Sequence, residues 1–128
     1  MSENAVPRPG PRSADAITHY HAHIYYDPAT TRNTAARLRE QVHTAFPLAV
    51  IGRWHDEQVG PHTRSMYQVA FPAGMLASFL PWLMLNRDGL TVLVHPETGN
   101  ARADHTDHAA WLGAILPIRL EAFEADAR

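Results

Sequence analysis

The chain has 128 residues, 45% of them hydrophobic and 19% charged, with a net charge of −2 when histidine is neutral; that is the balance of one ordinary folded domain. No run of Lys or Arg and no apolar stretch of about 18 residues occurs, which speaks against nucleic-acid or anionic-lipid partners and against a membrane span. There is no cysteine, which removes disulfides, thiolate metal sites, iron–sulfur clusters and cysteine nucleophiles together and fits a cytoplasmic protein. Nor does the N-terminus carry the apolar core of a signal peptide.

Residues 1–15 (MSENAVPRPGPRSAD) hold three prolines, a glycine and few apolar groups, so they read as a flexible arm. Residues 16–123 then form a single domain. Thr18 to Tyr26 is a strand, and its period of two places His19, His21, His23 and Tyr25 on one face and Tyr20, Ala22, Ile24 and Tyr26 on the other. Asp27-Pro28 stops the strand and resembles an N-cap with proline at the first helical position. Leu38, Val42, Ala45 and Phe46 carry helical spacing up to Pro47. A second strand runs from Leu48 to His55, a loop from Asp56 to Thr63 and a third strand from Ser65 to Phe71. Met75 to Leu85 is an apolar helix that Pro81 should kink or divide. Leu90 to His95 is a fourth strand, closed by Pro96-Glu97-Thr98-Gly99. Asp104 caps a short last helix through Leu112.

The order β-α-β-β-α-β predicts an α+β domain of the ferredoxin-like, split βαβ kind. Its sheet would have four antiparallel strands with both helices on one face. The other face then needs a cover, and a second copy packing as a barrel-like homodimer would supply it.

Nine histidines stand out: His19, His21, His23, His43, His55, His62, His95, His105 and His108. His21 and His23 point to the same side of a strand with Cα atoms roughly 6.5–7 Å apart, a spacing at which two imidazoles can converge on one metal ion. Alone, such a pair is more often the exposed polar face of an antiparallel strand. His62, just before the third strand, and His95, at the end of the fourth, change that balance. Strands one and three are central neighbours in this topology and strand four flanks strand one, so separate elements bring the same ligand type to one region. His105 and His108 share a helix face. They are either a polar first turn, with Asp104 capping, or a lid that presents an acid, a base or a supporting partner. His43 and His55 read as ordinary surface and strand-end residues. Imidazole without thiolate suits zinc, copper or iron. Asp56, Glu57, Asp104 and Asp107 are available carboxylates, but none lies on a strand, so an all-histidine site is at least as well supported.

Several segments in order resemble the DOPA 4,5-dioxygenase family of small ring-cleaving enzymes. They are Tyr20-His21-Ala22-His23-Ile24-Tyr25-Tyr26, Gly60-Pro61-His62 with Met66 to Phe71, and Pro81 to Arg87 with Gly89-Leu90. Val94 to Gly99 follows, then Asp104-His105 with His108 and Trp111-Leu112-Gly113. The resemblance implies a ferredoxin-like fold, a homodimer and extradiol cleavage of a catechol by O₂ at iron(II), with zinc or nickel able to replace iron in purified protein. The matching histidines are His21, His23, His62, His95, His105 and His108. The resemblance does not say which of them bind metal; the expectation is His21, His23, His62 and His95 around the metal, with His95, His105 and His108 in catalysis. Iron that must also hold catecholate and O₂ has room for about three protein ligands. One of the four core histidines therefore handles protons instead. Arg53, Arg64 or Arg87 would pair with a substrate carboxylate. The rival readings are a ligand- or metal-binding module without turnover and a structural dimer with a histidine-rich face.

Overall fold

The computed structural model describes residues 10–126, so most of the expected N-terminal arm, residues 1–9, lies outside the described residues. Within the remainder of the arm, the Ser13 hydroxyl accepts from the Asp15 N–H at 3.2 Å and caps a single 3₁₀ turn, Ala14–Ala16. The regular elements are β1 (His19–Tyr26), α1 (Arg32–Ala45), β2 (Val50–Ile51), β3 (Ser65–Pro72), α2 (Leu76–Asn86), β4 (Val92–Pro96), α3 (Ala101–His105), β5 (Ala110–Leu112) and α4 (Glu121–Asp126).

The strands form one open antiparallel sheet in the order β2-β3-β1-β4-β5. Its first four members keep the neighbours of the split βαβ pattern, with β1 between β3 and β4. The expected count of four is corrected to five. Residues 104–112 do not make one helix capped by Asp104. Asn100 is the cap, its side-chain oxygen accepting from the Ala103 N–H at 3.1 Å. Asp104 instead turns inward, 1% exposed, and accepts from the Thr98 backbone N–H at 2.8 Å and the Thr98 hydroxyl at 2.7 Å. The chain leaves α3 at His105, and residues 110–112 pair with Val92–Val94. Trp111 stacks on Tyr25 on one face and Leu112 packs with the main core on the other. Two large apolar side chains on opposite sides suit a strand better than a helix.

Other boundaries move for similar local reasons. The Asp27 carbonyl and carboxylate accept from Thr30, Thr31 and Ala29 N–H groups, making a turn that delays α1 to Arg32. Only Val50–Ile51 of the expected second strand pairs continuously, and His55 returns for one further bridge to Met66. Pro81 lies inside α2 without dividing it; the helix runs on to Asn86 with the proline exposed.

One sheet face carries Ala22, Ile24, Tyr67, Val69, Phe71 and Val92, buried under Leu38 and Val42 of α1 and Phe79 and Leu83 of α2. The opposite face carries His21, His23 and Tyr25 of β1. Its smaller cluster of Tyr25, Met66 and Leu93 is covered by Trp111, Leu116 and Ile118, from β5 and the segment after it. Ile118 bridges to His62, the Arg119 N–H donates to the Pro61 carbonyl at 2.8 Å, and the Thr63 hydroxyl donates to the Pro117 carbonyl at 2.7 Å. Part of the cover expected from a second copy therefore comes from the chain's own C-terminal segment. Among the described residues, no helix is long and apolar enough to cross a membrane.

The turn that launches this segment depends on Gly113, which has φ +86° and whose absent Cβ would stand 2.9 Å from Arg87 Nη1. That guanidinium is held by donation to the Leu90 carbonyl at 2.9 Å, so it cannot retreat freely. Gly113→Ala is expected to cost about 1–3 kcal/mol through positive φ and the close contact. A chemical denaturation midpoint unchanged by this substitution would show that the turn tolerates a side chain.

Candidate metal centre

The pleat of β1 turns His21 and His23 to the same face, and antiparallel pairing sets His95 of β4 directly opposite His21. The diagonal pair meets: His23 Nε2 and His95 Nε2 are 3.0 Å apart. His62 arrives from the loop before β3 and His105 from the end of α3. The His62 ring centroid lies 4.1 Å from that of His23, and the His105 centroid 4.0 Å from that of His95. Two triads each place their ligand-competent atoms within 4.8 Å of one another: His21, His23 and His95, and His23, His62 and His105. They share His23. No carboxylate joins either group, so among the described residues the donor set is all imidazole.

Ring orientation is fixed from outside the cluster. A carbonyl or carboxylate can only accept, so the nitrogen facing it carries the proton. His95 Nδ1 lies 2.9 Å from the Pro96 carbonyl, His105 Nδ1 lies 2.7 Å from the Ala101 carbonyl and His21 Nδ1 lies 3.1 Å from the Glu97 carboxylate. Each of these three rings therefore keeps its lone pair at Nε2, the arrangement in which outer partners hold metal-ligating histidines. With His95 Nε2 an acceptor, His23 Nε2 donates to it. That leaves His23 Nδ1 buried without a partner. A buried polar atom left unpaired costs about 1–3 kcal/mol and calls for an explanation.

Burial also sets charge. His95 is 0% exposed, His23 3% and His62 4%. Desolvation, reinforced by the neighbouring imidazoles, pushes His23 well below the usual histidine value, His62 down to about 3 and His95 to about 4. At His95, donation to the Pro96 carbonyl and the nearby Asp104 partly oppose the fall. For His21 burial again leads, opposed by Glu97. His21, His23, His62 and His95 are thus held toward the neutral form that offers lone pairs, which is the state a cation needs.

Of the residues singled out in the sequence, the structure brings together His21, His23, His62, His95 and His105. His108 stays outside the ring contacts, half-buried with Nδ1 4.0 Å from Asp104. His19 is exposed beside Thr18, His43 is exposed on α1, and His55 is taken up by the bridge to Met66. Asp56 accepts from Arg32 and Tyr26, away from the cluster. Arg87 is spent on the Leu90 carbonyl, and Arg53 is exposed. Arg64 lines a surface pocket of about 870 Å³ with Tyr25, Thr63 and Leu116. This pocket is not centred on the histidines; it meets them at Tyr25, whose hydroxyl lies 2.7 Å from His62 Nδ1. Tyr25 and Glu97 were not picked out as site residues from the sequence. The period of two had already put Tyr25 in the histidine row, and Glu97 follows His95-Pro96 directly.

Fold and site together define a cysteine-free α+β domain with a buried, all-imidazole centre on the sheet face opposite its helices. The profile described as the Dopa 4,5-dioxygenase family matches residues 20–122, so the chain belongs to that family. It is similar to an "Uncharacterized 21.2 kDa protein" of Botryotinia fuckeliana, at 34% identity over 79% of this chain and 61% of the relative. It is also similar to a "DOPA 4,5-dioxygenase" of Amanita muscaria, at 32% identity over 81% of this chain and 49% of the relative. The chain thus spans between half and about three-fifths of these relatives' lengths. A crystal structure from Nostoc punctiforme, described as a "putative dioxygenase", superposes with a TM-score of 0.86 at 45% identity, covering 92% of this chain and 100% of that one.

Proposed function

We propose that this protein is a metal-dependent dioxygenase that cleaves a catechol ring beside its hydroxyls, keeping both oxygen atoms in the product. The observation that carries the reading is the convergence of two imidazole triads on His23, whose Nδ1 is buried without a hydrogen-bond partner. That donor set fits a divalent first-row metal and not calcium or magnesium. His21, His23 and His95 would hold it. Iron(II) bound there would supply Lewis acidity toward the catechol hydroxyls and one-electron chemistry toward O₂.

The chain's own groups account for the remaining work. Nδ1 of His105 is tied to the Ala101 carbonyl, so its Nε2 is free to accept a phenolic proton and to return it after ring opening. Glu97 and the Pro96 carbonyl keep His21 and His95 from rotating. Phe123 packs against the His105 ring at 5.0 Å between centroids, and the C-terminal segment keeps water from the inner side of the site. His108 has no part in this arrangement.

Anaerobic loading with iron(II), followed by DOPA, protocatechuate or caffeate in air, tests the reading. The expected outcome is a new yellow chromophore with one O₂ consumed per catechol. Metal uptake with no catechol consumed would favour a ligand- or metal-binding module. Arg64, which lines the pocket that ends at Tyr25 and donates from Nη1 to the Thr63 carbonyl at 3.1 Å, is the best placed cation for an acidic side chain on the substrate. Arg64→Ala should raise KM for carboxylated catechols about tenfold with kcat little changed, the mark of lost uniform binding. Equal KM values would remove Arg64 from substrate recognition. A cytoplasmic homodimer, using the sheet face around the exposed Val50, belongs to the same proposal.

A further inference from the structure

The His62 ring is held differently from its neighbours. His21, His95 and His105 each face an oxygen that can only accept, whereas His62 Nδ1 faces a phenol, which can donate or accept. The direction follows from counting partners. Tyr25 is 4% exposed, and its hydroxyl makes one hydrogen bond among the described residues, the 2.7 Å contact with His62 Nδ1. Were that hydroxyl to accept from His62, its own proton would be buried with no acceptor. Tyr25 therefore donates, and His62 Nδ1 holds the lone pair. In a neutral imidazole the proton must then sit on Nε2. The ring thus offers an N–H, not a lone pair, at its only free nitrogen.

We infer that Tyr25 is a positioning residue that sets His62 as a hydrogen-bond donor to an anionic oxygen bound at the centre, and that His62 is not a metal ligand. This rests on the reading that the cluster holds a metal. It deepens that reading by giving the histidines separate tasks. His21, His23 and His95 bind, His105 accepts a proton, and His62 presents one. The ligand class that matches is a catecholate or another oxyanion whose negative oxygen lies against the His62 N–H. The geometry around Tyr25 is built for stiffness. Its ring stacks on Trp111 with centroids 5.9 Å apart, Leu116 and Ile118 pack against the same cluster, and Ile118 bridges to His62. The loop holding His62 is thereby locked to the tyrosine that orients it.

Two measurements decide the matter. In metal-free protein labelled with ¹⁵N-histidine, tautomer-sensitive two-bond correlations should give His62 as Nε2–H and both His95 and His105 as Nδ1–H. In Tyr25→Phe, which keeps the ring and its stacking on Trp111, only His62 should lose its preference. Calorimetric titration with zinc(II) is the second measurement. His62→Gln and Tyr25→Phe should bind within about threefold of the unsubstituted protein, while His95→Ala should bind at least about 100-fold more weakly. His62 found as Nδ1–H, or unmoved by Tyr25→Phe, overturns the proposal. His62→Gln weakening zinc as much as His95→Ala also overturns it, while leaving the metal reading intact. Absence of zinc binding by the unsubstituted protein overturns both.

Discussion

His95→Ala is expected to abolish metal-dependent activity and to weaken metal binding by at least about 100-fold, more than loss of an outer partner alone produces. No other histidine combines so many of the site's requirements. It is fully buried, its Nδ1 proton is fixed by the Pro96 carbonyl, and its Nε2 lone pair lies 3.0 Å from His23 Nε2, from which it accepts in the metal-free protein. Removing it takes away one donor and leaves the His23 N–H without its acceptor, so metal-free stability should also fall by about 1–3 kcal/mol. His23→Ala should match it in metal loss, because His23 completes the triad with His21 and His95. His43→Ala, on the exposed side of α1, should change neither property. Metal content after anaerobic loading, measured with oxygen uptake, separates the variants. His95→Ala and His23→Ala with full metal and full activity would put the centre elsewhere in the molecule.

The central part of this site was legible in the sequence because it rests on the two most regular features of the fold. A period of two aligns His21, His23 and Tyr25. The split βαβ order makes β1 the neighbour of both β3 and β4, which brings His95 across from His21 and His62 within reach. What was not legible depends on long-range partners. Asp104 has the local chemistry of a helix cap, and only the fold reveals Thr98 as its partner. Residues 110–112 are too short to announce a strand until Val92–Val94 offers an edge. The ring orientations of the individual histidines were equally hidden, since they depend on which oxygen each Nδ1 meets. Two of those oxygens are backbone carbonyls, at Pro96 and Ala101, which no side-chain pattern encodes.

The same burial that prepares the histidines for a metal should make the metal-free protein sensitive to acid. His23, His62 and His95 all have folded-state values far below the ordinary 6.5, His62 at about 3 and His95 at about 4. Between those values and 6.5 the unfolded chain takes up protons that the folded chain refuses, so stability rises with pH across that window. It is complete above about pH 6.5 and is lost as the pH falls toward 4. Each such group contributes up to about 1.4 kcal/mol per pH unit within the window. Against a typical domain stability of about 5–15 kcal/mol, the melting temperature of the metal-free protein should fall as the pH is lowered from 6.5 toward 4. Because protonation and metal binding compete for the same imidazole lone pairs, loaded protein should release its metal over the same range. Circular dichroism and metal content followed from pH 8 to pH 3.5 test both statements. A metal-free protein whose melting temperature stays constant down to pH 4 would mean that the cluster opens to water and that its histidines titrate normally. In that case they would not form the dry, neutral centre on which the proposed chemistry depends.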